Sequence, residues 1–342
     1  MRANDKFDYI FVTNLPAFYK INLYNAISKS KKIVVIFLSN SNRDRTDDFY
    51  YGNRLFEHYD LGKYGPFKKL IFCLKLLLEK GHNKLVIGGW DDPIYWILAF
   101  IFPRERNAVV VESSIYESQV DGLKGLIKKI FLRRIGTAFV SGELQKELVE
   151  HLKFRGKIRM TYGVGVLNVV PPLQYNKKSR VKNFLFVGRL SPEKGIVMLV
   201  EVFNKHPAYN LTIVGYGPLE KTIRSMINNN IKVMGEVANR QLYTIYRRND
   251  ILILPSESEP WGLVVEEALS NGVPVIVSDR VGCIRTVVRH KENGLIFRYD
   301  SEKELEAAIE FIADIDNYNR IRGNISRIDY QDIMRKQVQS YI

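Results

Sequence analysis

Two glutamates flank a Trp-Gly pair in the stretch SESEPWGLVVEEALSNGVP, residues 256–274. A helix that begins just after Gly262 would direct unpaired N–H groups at an anion, and glycine would let a ligand approach the backbone. Carboxylates accept hydrogen bonds from paired hydroxyls such as those of ribose. The spacing therefore predicts that one of the two carboxylates, Glu259 or Glu267, holds a sugar and the other a ribose, with a diphosphate between them. The alternative is that Glu266 and Glu267 are an ordinary solvent-facing pair.

Two cations follow an expected strand in FVGRLSPEKG, residues 186–195. Gly188 permits a tight turn, and Arg189 and Lys194 combine a planar fork with a flexible point charge, which suits a diphosphate. A solvated basic loop is the alternative interpretation of the same residues.

A second glycine pair, Gly215 and Gly217, stands at an expected strand-to-helix junction in VGYGPLEK, residues 214–221. The stretch lacks the third glycine of the dinucleotide-binding fingerprint. Both a nucleotide contact and a simple close turn remain open.

Several other chemistries are disfavoured by the sequence. It contains no HExxH and no Gly-x-Ser-x-Gly, and the five histidines are scattered. The D-x-D at Asp314 and Asp316 lies in an acidic helical tail and is interpreted as surface. Cys73 and Cys283 each lie among apolar residues, which argues against both a disulfide framework and a zinc site. No metal site is expected.

Short β-branched runs alternate with amphipathic stretches of helical length, the pattern of a parallel sheet covered by helices. Helices are expected at 195–205, 218–229, 239–248 and 262–271. Strands are expected at 9–14, 32–38, 84–90, 108–113, 137–142, 184–190, 211–217, 231–235, 250–256, 273–279 and 294–299.

The alternation pauses at 166–183, where a Pro pair and a basic run indicate a linker. The sequence thus predicts two tandem doubly wound α/β domains, with the active site in the cleft between them, at the carboxyl ends of strands. The expected boundaries are 1–170 for the first domain, 171–183 for the linker, 184–325 for the second domain and 326–342 for a helix that packs back on the first.

The chain has 342 residues, is 46% hydrophobic and carries a net charge of +14, of which about +10 lies in residues 1–170. A basic half favours a polyanionic partner. Nucleic acid is not expected, because zinc-finger spacing and RNP-like strands are missing. No apolar run reaches the roughly 18 residues of a membrane span, and Asp5 and Asp8 stand where a signal peptide would be apolar. A cytoplasmic protein is expected.

Two stretches combine apolar residues at helical spacing with several cations, 65–81 and 121–136. In the second, the expected apolar stripe comprises Leu123, Leu126, Ile127, Ile130 and Phe131, and Lys124, Lys128 and Arg134 lie beside it. Such a helix can lie on an anionic bilayer. It can equally be a core-facing helix with a solvated basic face.

The blocks GRLSPEKG, VGYGP and PSESEPWGLVVEEALSNGVPVIVS together resemble the C-terminal domain of GT4-type retaining glycosyltransferases of the GT-B fold, over residues 184–312. The resemblance implies that Arg189 and Lys194 bind the donor diphosphate, that Glu259 contacts the transferred sugar and that Glu267 contacts the ribose. Arg189, Lys194 and Glu259 also form the implied catalytic centre. Further donor contacts are implied for Gly188, Gly215, Gly217, Gly235, Glu236, Gly262, Leu263 and Val264.

The first half departs from the family pattern. Many members have a Gly-Gly loop after the first strand, where this chain has TNLPAFYKINLYN with Asn14. Many also have a histidine after the fourth strand, where this chain offers Glu112. Glu112 is the expected substitute on the acceptor side, with Trp90 for stacking on a sugar ring and Asp92 for a hydroxyl. Plain loop structure is the alternative for Trp90 and Asp92.

The resemblance implies a retaining, metal-independent hexosyltransferase without a cofactor. Its donor would be a nucleotide sugar, most simply UDP-linked, carrying a hexose or N-acetylhexosamine. The basic first half and the two cationic helices point to a lipid-linked saccharide acceptor at the inner leaflet, as in bacterial lipopolysaccharide O-antigen or capsule synthesis. The alternatives are a GT-B-fold epimerase of UDP-sugars, a phosphorylase, and a non-catalytic protein that binds anionic surfaces.

Overall fold

The computed structural model describes residues 6–40, 47–50, 52–168 and 175–342. The chain divides into two compact units, one formed by Met1–Asn168 with Gln331–Ile342 and the other by Val169–Tyr330. Asp5 of the N-terminal stretch and the Pro pair of the expected linker lie outside the described residues.

The first unit is built on a parallel sheet. Its strands are β1 (Phe7–Thr13), β2 (Ile33–Phe37), β3 (Glu57–Asp60), β4 (His82–Ile87), β5 (Asn107–Val111), β6 (Thr137–Val140) and β7 (Lys157–Met160). Their order across the sheet is β3-β2-β1-β4-β5-β6-β7. The central strands are almost wholly buried because helices cover both faces, which is why they are continuous apolar runs.

Five helices follow the strands of this unit: α1 (Phe18–Ile27), α2 (Pro66–Glu79), α3 (Pro93–Ile101), α4 (Gly122–Leu132) and α5 (Glu143–His151). Helices α2 to α5 contribute to the apolar core on one face of the sheet. On the other face α1 packs together with Tyr341 from the C-terminal segment. The Tyr9 hydroxyl donates to the Tyr341 carbonyl at 2.5 Å and Gln337 donates to the Tyr162 carbonyl at 3.1 Å, so this segment is part of the first unit.

The second unit repeats the architecture. Its strands are β8 (Asn183–Val187), β9 (Asn210–Val214), β10 (Ile231–Gly235), β11 (Ile251–Leu254), β12 (Val275–Ser278) and β13 (Gly294–Phe297), in the order β10-β9-β8-β11-β12-β13. The helices are α6 (Ile196–Lys205), α7 (Glu220–Met226), α8 (Leu242–Arg248), α9 (Leu263–Ser270), α10 (Glu302–Ala313) and α11 (Ile315–Ile325), and α12 (Tyr330–Gln339) begins at the unit's last residue.

Both strand orders are those of a doubly wound sheet, in which the chain first winds one way and then the other. The predicted fold class of two tandem Rossmann-like parallel-sheet domains is confirmed. The direction reverses between β1 and β4 in the first unit and between β8 and β11 in the second. The loops after these strands diverge at the carboxyl edge, where a doubly wound sheet binds its ligand.

The structure corrects several local expectations. Strands β3 and β7 were not predicted, and most of the expected strands end earlier than their apolar runs suggest. In α4 the expected stripe is divided, since Phe131 is in the core whereas Leu123, Leu126 and Ile127 are exposed. None of the helices in the described ranges has the length and apolar character needed to cross a bilayer.

Candidate active site

Lys194 and Glu259 meet at the carboxyl edge of the second sheet, where its winding reverses. Lys194 follows β8 and Glu259 follows β11, and the two strands are neighbours. The ammonium nitrogen lies 2.5 Å from Oε2 of Glu259, and the two side chains are 16% and 17% exposed. The sequence marked both residues, and the structure makes them partners in one ion pair at the edge where a ligand is expected.

Backbone hydrogen bonds hold these two loops together. Residues Pro192–Lys194 form a single 3-10 turn, and the carbonyl of Glu193 accepts from the amides of Glu257 at 2.9 Å and Ser258 at 3.3 Å. Burial works against the ionisation of Glu193, but the hydroxyl of Ser191 and the nearby positive charges keep its pKa below the ordinary value. Arg189 is exposed and, with Lys194, is one of those charges. The loop after β8 is therefore electropositive.

Helix α9 starts beside this ion pair. Gly262 precedes it with φ at 94°, a left-handed conformation that L side chains rarely adopt, and a Cβ at this position would lie 2.7 Å from Cγ1 of Val281 and 3.5 Å from Cγ of Glu259. The amides of Leu263 and Val264 belong to the first turn, in which N–H groups have no acceptor within the helix. Together with Lys194, these amides can hold an anion.

The two adjacent glutamates of α9 have different surroundings. Glu267 is half-buried and accepts a 2.7 Å hydrogen bond from the hydroxyl of Tyr246. Glu266 is 7% exposed and accepts a 2.6 Å hydrogen bond from the indole nitrogen of Trp261. The interpretation of these residues as a solvent-facing pair is therefore wrong.

The predicted glycine contacts lie along the same edge of the sheet. Gly215 has φ at 132°, and a Cβ there would lie 1.8 Å from the carbonyl oxygen of Gly188. A Cβ at Gly217 would lie 2.5 Å from the carbonyl of Leu190, and the Gly215 amide donates to the Gly235 carbonyl at 2.8 Å. The close contact of backbones thus already accounts for Gly215 and Gly217 in structural terms.

The remaining predicted donor residue, Glu236, follows β10 and is exposed. A Cβ at the neighbouring Gly235 would meet nothing within 4 Å, so the space above it is open. The two residues lie at the carboxyl end of the strand that borders β9. Their place is compatible with a flat ligand group but includes no contact that would specify one.

Three of the four acceptor-side candidates lie where the first sheet reverses. Asn14 follows β1, and its side chain is exposed. Trp90 follows β4, packs partly against the core and has the ammonium of Lys128 5.6 Å from its ring centre. Asp92 caps α3, because its Oδ1 accepts from the Ile94 amide at 2.8 Å. A structural role therefore occupies Asp92.

Glu112 follows β5 and forms an ion pair with Lys20 of α1, with 3.1 Å between Nζ and Oε1. Burial is the largest single effect on Lys20 and lowers its pKa, but the charge and hydrogen bond of Glu112 together with Tyr19 and Tyr24 raise the pKa above its ordinary value. Burial also raises the pKa of the adjacent Tyr24 to about 12. The position thus holds a charged, partly buried carboxylate.

Sequence reasoning missed two side chains, Tyr246 and Glu266. Glu266 could have been suspected, because an indole five residues before it has a nitrogen that needs an acceptor when buried. Tyr246 gave no signal, since it lies in α8 and reaches Glu267 through the tertiary fold. Burial raises the pKa of Tyr246 well above its ordinary value and Glu267 adds to the effect, so the phenol remains a donor.

Comparison with known proteins gives a family model that matches most of the second unit. Residues 173–327 match the family model described as glycosyl transferases group 1. The match includes the loops after β8 and β11, which contain Lys194 and Glu259, and helix α9, which contains Glu267.

Among curated proteins, the O-antigen biosynthesis glycosyltransferase WbnH of Escherichia coli is 28% identical over 286 residues, which cover 82% of this chain and 81% of that protein. The uncharacterized glycosyltransferase MJ1607 of Methanocaldococcus jannaschii is 32% identical over 123 residues, 33% of this chain and 31% of that protein. The sulfoquinovosyl transferase SQD2 of Arabidopsis thaliana is 32% identical over 111 residues, 32% of this chain and 22% of that protein. The chain thus spans less than a third of the length of these last two.

Among solved structures, sucrose-phosphate synthase from Thermosynechococcus elongatus matches with a TM-score of 0.75 and 19% identity, covering 97% of each chain. HepE of Anabaena, solved in complex with UDP-glucose, matches with a TM-score of 0.66 and 15% identity, covering 97% of this chain and 98% of that one. At these identities the likeness concerns the fold alone.

Proposed function

We propose that the chain, whose residues 173–327 match the family model described as glycosyl transferases group 1, is a retaining glycosyltransferase. It transfers a hexose or an N-acetylhexosamine from a UDP-sugar to a saccharide. The observation that carries the proposal is the Lys194–Glu259 pair beside the start of α9, at the reversal point of the second sheet. The UDP-glucose complex of HepE, a protein of the same fold, supports the choice of nucleotide.

The side chains and amides at this site suit the charge changes that occur during sugar transfer. As the bond between sugar and phosphate breaks, negative charge grows on the leaving diphosphate, and cations and amides placed there lower the barrier. Lys194, Arg189 and the first amides of α9 take this role. Glu259 takes the sugar hydroxyls and Glu267, held by Tyr246, takes the ribose hydroxyls. All the positive charge in this scheme comes from the protein, and the scheme includes no metal or cofactor.

Nucleotide binding is tested first by thermal stabilisation with UDP, GDP, ADP, UDP-glucose, UDP-galactose, UDP-N-acetylglucosamine and GDP-mannose. A ligand that binds only the folded state raises stability with the logarithm of its concentration over Kd. We expect stabilisation confined to the uridine nucleotides. Stabilisation by another base alone would reject the UDP assignment, and stabilisation by none would reject a nucleotide-sugar donor from this panel.

The role of Glu259 is tested with Glu259→Gln, using Glu310→Gln on the exposed face of α10 as the matched charge change. We expect UDP release in the presence of alkyl glycoside acceptors to fall about 10²- to 10³-fold, the usual effect of removing one group that stabilises the transition state, with UDP-sugar binding retained. Full turnover in Glu259→Gln would overturn the assignment. Appearance of an epimeric sugar without acceptor would identify an epimerase instead.

We further propose that the acceptor is a lipid-linked saccharide and that the protein works at the anionic inner leaflet. The support is the surface of α4. Leu123, Leu126, Ile127 and Ile130 are 72%, 51%, 42% and 39% exposed, whereas only Gly125, Phe131 and Leu132 of this helix are buried. A helix in a globular unit normally turns its apolar stripe to the core. Here most of the stripe faces outward, which the core-facing interpretation does not explain.

The surroundings of this outward stripe select a partner of negative charge. Helix α4 contains Lys124, Lys128 and Lys129 and no acidic residue, and Arg133 follows it in an exposed position. The neighbouring α3 adds Phe100 and Ile101, which are 48% and 52% exposed. Apolar insertion together with interfacial lysines is how helices bind anionic lipid surfaces. The relative WbnH, an O-antigen biosynthesis enzyme by name, supports an acceptor of this type.

Membrane binding is tested by co-sedimentation with vesicles of phosphatidylcholine alone or with a third of phosphatidylglycerol. We expect binding to the mixed vesicles only, weaker at high salt, and lost in the double variant Leu126→Asn/Ile127→Asn. The matched control is Leu55→Asn, which replaces another leucine of the first unit that is 64% exposed. Equal binding of both variants, or equal binding to neutral vesicles, would overturn the assignment of this face.

A further inference from the structure

A buried hydrogen bond spans the start of α9. The indole nitrogen of Trp261 donates to Oε2 of Glu266 at 2.6 Å, and the two residues are 3% and 7% exposed. Trp261 precedes the helix and Glu266 lies in its first turn, with the left-handed Gly262 between them. The bond therefore closes a small ring around the point where the chain enters the helix.

The turn inside this ring is also tied to the segment after β12. The Glu259 carbonyl accepts from the amide of Gly282 at 2.8 Å, and the Trp261 carbonyl accepts from the amide of Cys283 at 2.9 Å. These bonds fix the backbone of the turn from one side. The Trp261–Glu266 hydrogen bond fixes the turn to the helix on the other side. The same set of bonds therefore holds both the residue Glu259 and the first amides of α9 in place.

We propose that Glu266 is a positioning residue for the nucleotide sugar, acting through the Trp261 indole on the turn that carries Glu259 and on the anion-binding start of α9. This inference rests on the proposed function and deepens it, because it adds a residue that does not touch the donor. A misplacement of the turn by about 1 Å is enough to cost a large part of binding or catalysis.

The charge state of Glu266 gives the proposal a distinctive readout. Burial raises the pKa of Glu266 to about 7, the indole hydrogen bond opposes this and the charge of Glu267 adds to it. Two other titratable groups interact electrostatically with Glu266: Cys283, whose pKa is raised by burial and by Glu266 and Glu259, and Tyr330, whose pKa is raised by burial and by Glu266. The Lys194–Glu259 ion pair lies beside the same turn. Near neutral pH the carboxyl thus changes between a neutral and an anionic form.

The two forms differ in their effect on an anionic ligand at the start of α9. The ionised carboxylate places a negative charge in the first turn of α9. This charge offsets the attraction between the positive end of the helix and the diphosphate. Donor affinity should therefore fall as pH rises through 7. The diphosphate of a UDP-sugar is esterified at both ends and does not itself titrate in this range, so the change belongs to the protein.

The experiment compares wild type, Glu266→Gln, Glu266→Leu, Trp261→Phe and the double variant Trp261→Phe/Glu266→Leu. For each, the Kd of the UDP-sugar that stabilises wild type most is measured by titration calorimetry from pH 6 to 8, and KM and kcat are obtained from UDP release. The control is Tyr318→Phe, which removes another buried hydrogen bond of the same unit, from the Tyr318 hydroxyl to the Asp250 carbonyl.

We expect Glu266→Leu and Trp261→Phe each to raise the donor KM about tenfold, as is typical when one well-placed hydrogen bond is lost, and the double variant to be no worse than the weaker single variant, because both act through one contact. Glu266→Gln keeps a carbonyl acceptor for the indole and should bind like wild type at pH 6. Wild type should lose about two- to fivefold in affinity between pH 6 and pH 8, as expected when donor binding raises the pKa of Glu266 by 0.5 to 1 unit. Glu266→Gln should not show this loss.

Additive effects in the double variant, or the same KM in Glu266→Leu as in Tyr318→Phe, would overturn the positioning role. The proposed function would still stand in that case if the wild-type protein transfers sugar. If wild type itself neither binds a UDP-sugar nor releases UDP, the proposed function fails, and the positioning role fails with it. A circular-dichroism melt of each variant separates loss of positioning from loss of fold.

Discussion

The variant Glu266→Gln should change how the stability of the second unit depends on pH. In the folded protein the carboxyl is buried and its pKa is about 7, compared with an ordinary value of 4.5. The unfolded chain therefore releases this proton at a lower pH than the folded chain does. A glutamine has no proton to release, so its contribution is the same at every pH.

The size and sign of the effect follow from this difference. Below pH 4.5 the carboxyl is protonated in both states and costs nothing. Between the two pKa values the unfolded state binds fewer protons, and so stability falls as pH rises, until the folded form also ionises near 7. A difference of this size corresponds to about 3 kcal/mol at 1.36 kcal/mol per unit. Relative to wild type, Glu266→Gln should gain that amount between pH 4.5 and pH 8.

Urea unfolding followed by tryptophan fluorescence measures this directly. Trp261 is the one tryptophan of residues 169–330, so replacing Trp90 and Trp96 by phenylalanine leaves a signal from the second unit alone. The free energy of unfolding is determined at half-unit pH steps for the parent, for Glu266→Gln and for the exposed control Glu310→Gln. Parallel curves for the parent and Glu266→Gln across this range would refute the reasoning, because they would mean that burial does not hold the proton.

Other substitutions test single contacts of the fold. Gly215→Ala should destabilise by about 3 kcal/mol or more, because its Cβ would lie 1.8 Å from the Gly188 carbonyl, and failure to lower the melting temperature would contradict that geometry. Asp92→Ala should cost about 1 kcal/mol through loss of the cap of α3, whereas Asp92→Asn should restore most of it in the same denaturation assay. Lys20→Met should cost about 2 kcal/mol by leaving the Glu112 carboxylate partly buried without its cation, and an unchanged unfolding midpoint would show the pair to be dispensable.

Much of the second unit could be predicted because its central strands are buried on both faces. Strands β8, β11 and β12 are continuous apolar runs bounded by turn residues; the edge strand β10 was also expected at its observed bounds, 231–235, although it is only partly buried. Burial on both faces leaves a strong signature in sequence. The edge strands β3 (EHYD) and β7 (KIRM) leave none, because they are partly exposed and carry charged residues.

The sequence proposed the candidate site as a set of residues and not as a set of contacts. The sequence singled out Lys194 and Glu259, yet their pairing depends on β8 and β11 being neighbours, which local patterns do not specify. Glu266 was weighed as an exposed residue because glutamate is seldom buried. The burial of Glu266 depends on the hydrogen bond from the Trp261 indole, which reaches across the left-handed Gly262. The periodicity of apolar residues gives no information about such a contact.

The direction of the outward stripe of α4 could not be predicted for a different reason. Its spacing was recognised, and two interpretations with opposite faces remained open. The choice depends on which side of the helix faces inward, and Gly125, Phe131 and Leu132 are its buried residues. A small residue and two large ones at the end of the helix suffice, since the neighbouring α3 already covers the core with Tyr95 and Leu98.

The Lys194–Glu259 ion pair means that the candidate site contains an anion of its own. Any incoming anion must compete for Lys194 with a tethered carboxylate, whose effective concentration far exceeds that of a free ion. We expect inorganic phosphate to compete poorly, because it brings mainly further negative charge next to the Glu259 carboxylate. A ligand that brings a diphosphate for the lysine and hydroxyls for the carboxylate compensates both partners at once. The pair thus favours ligands that carry both groups and disfavours the simple anions that are abundant in any cell.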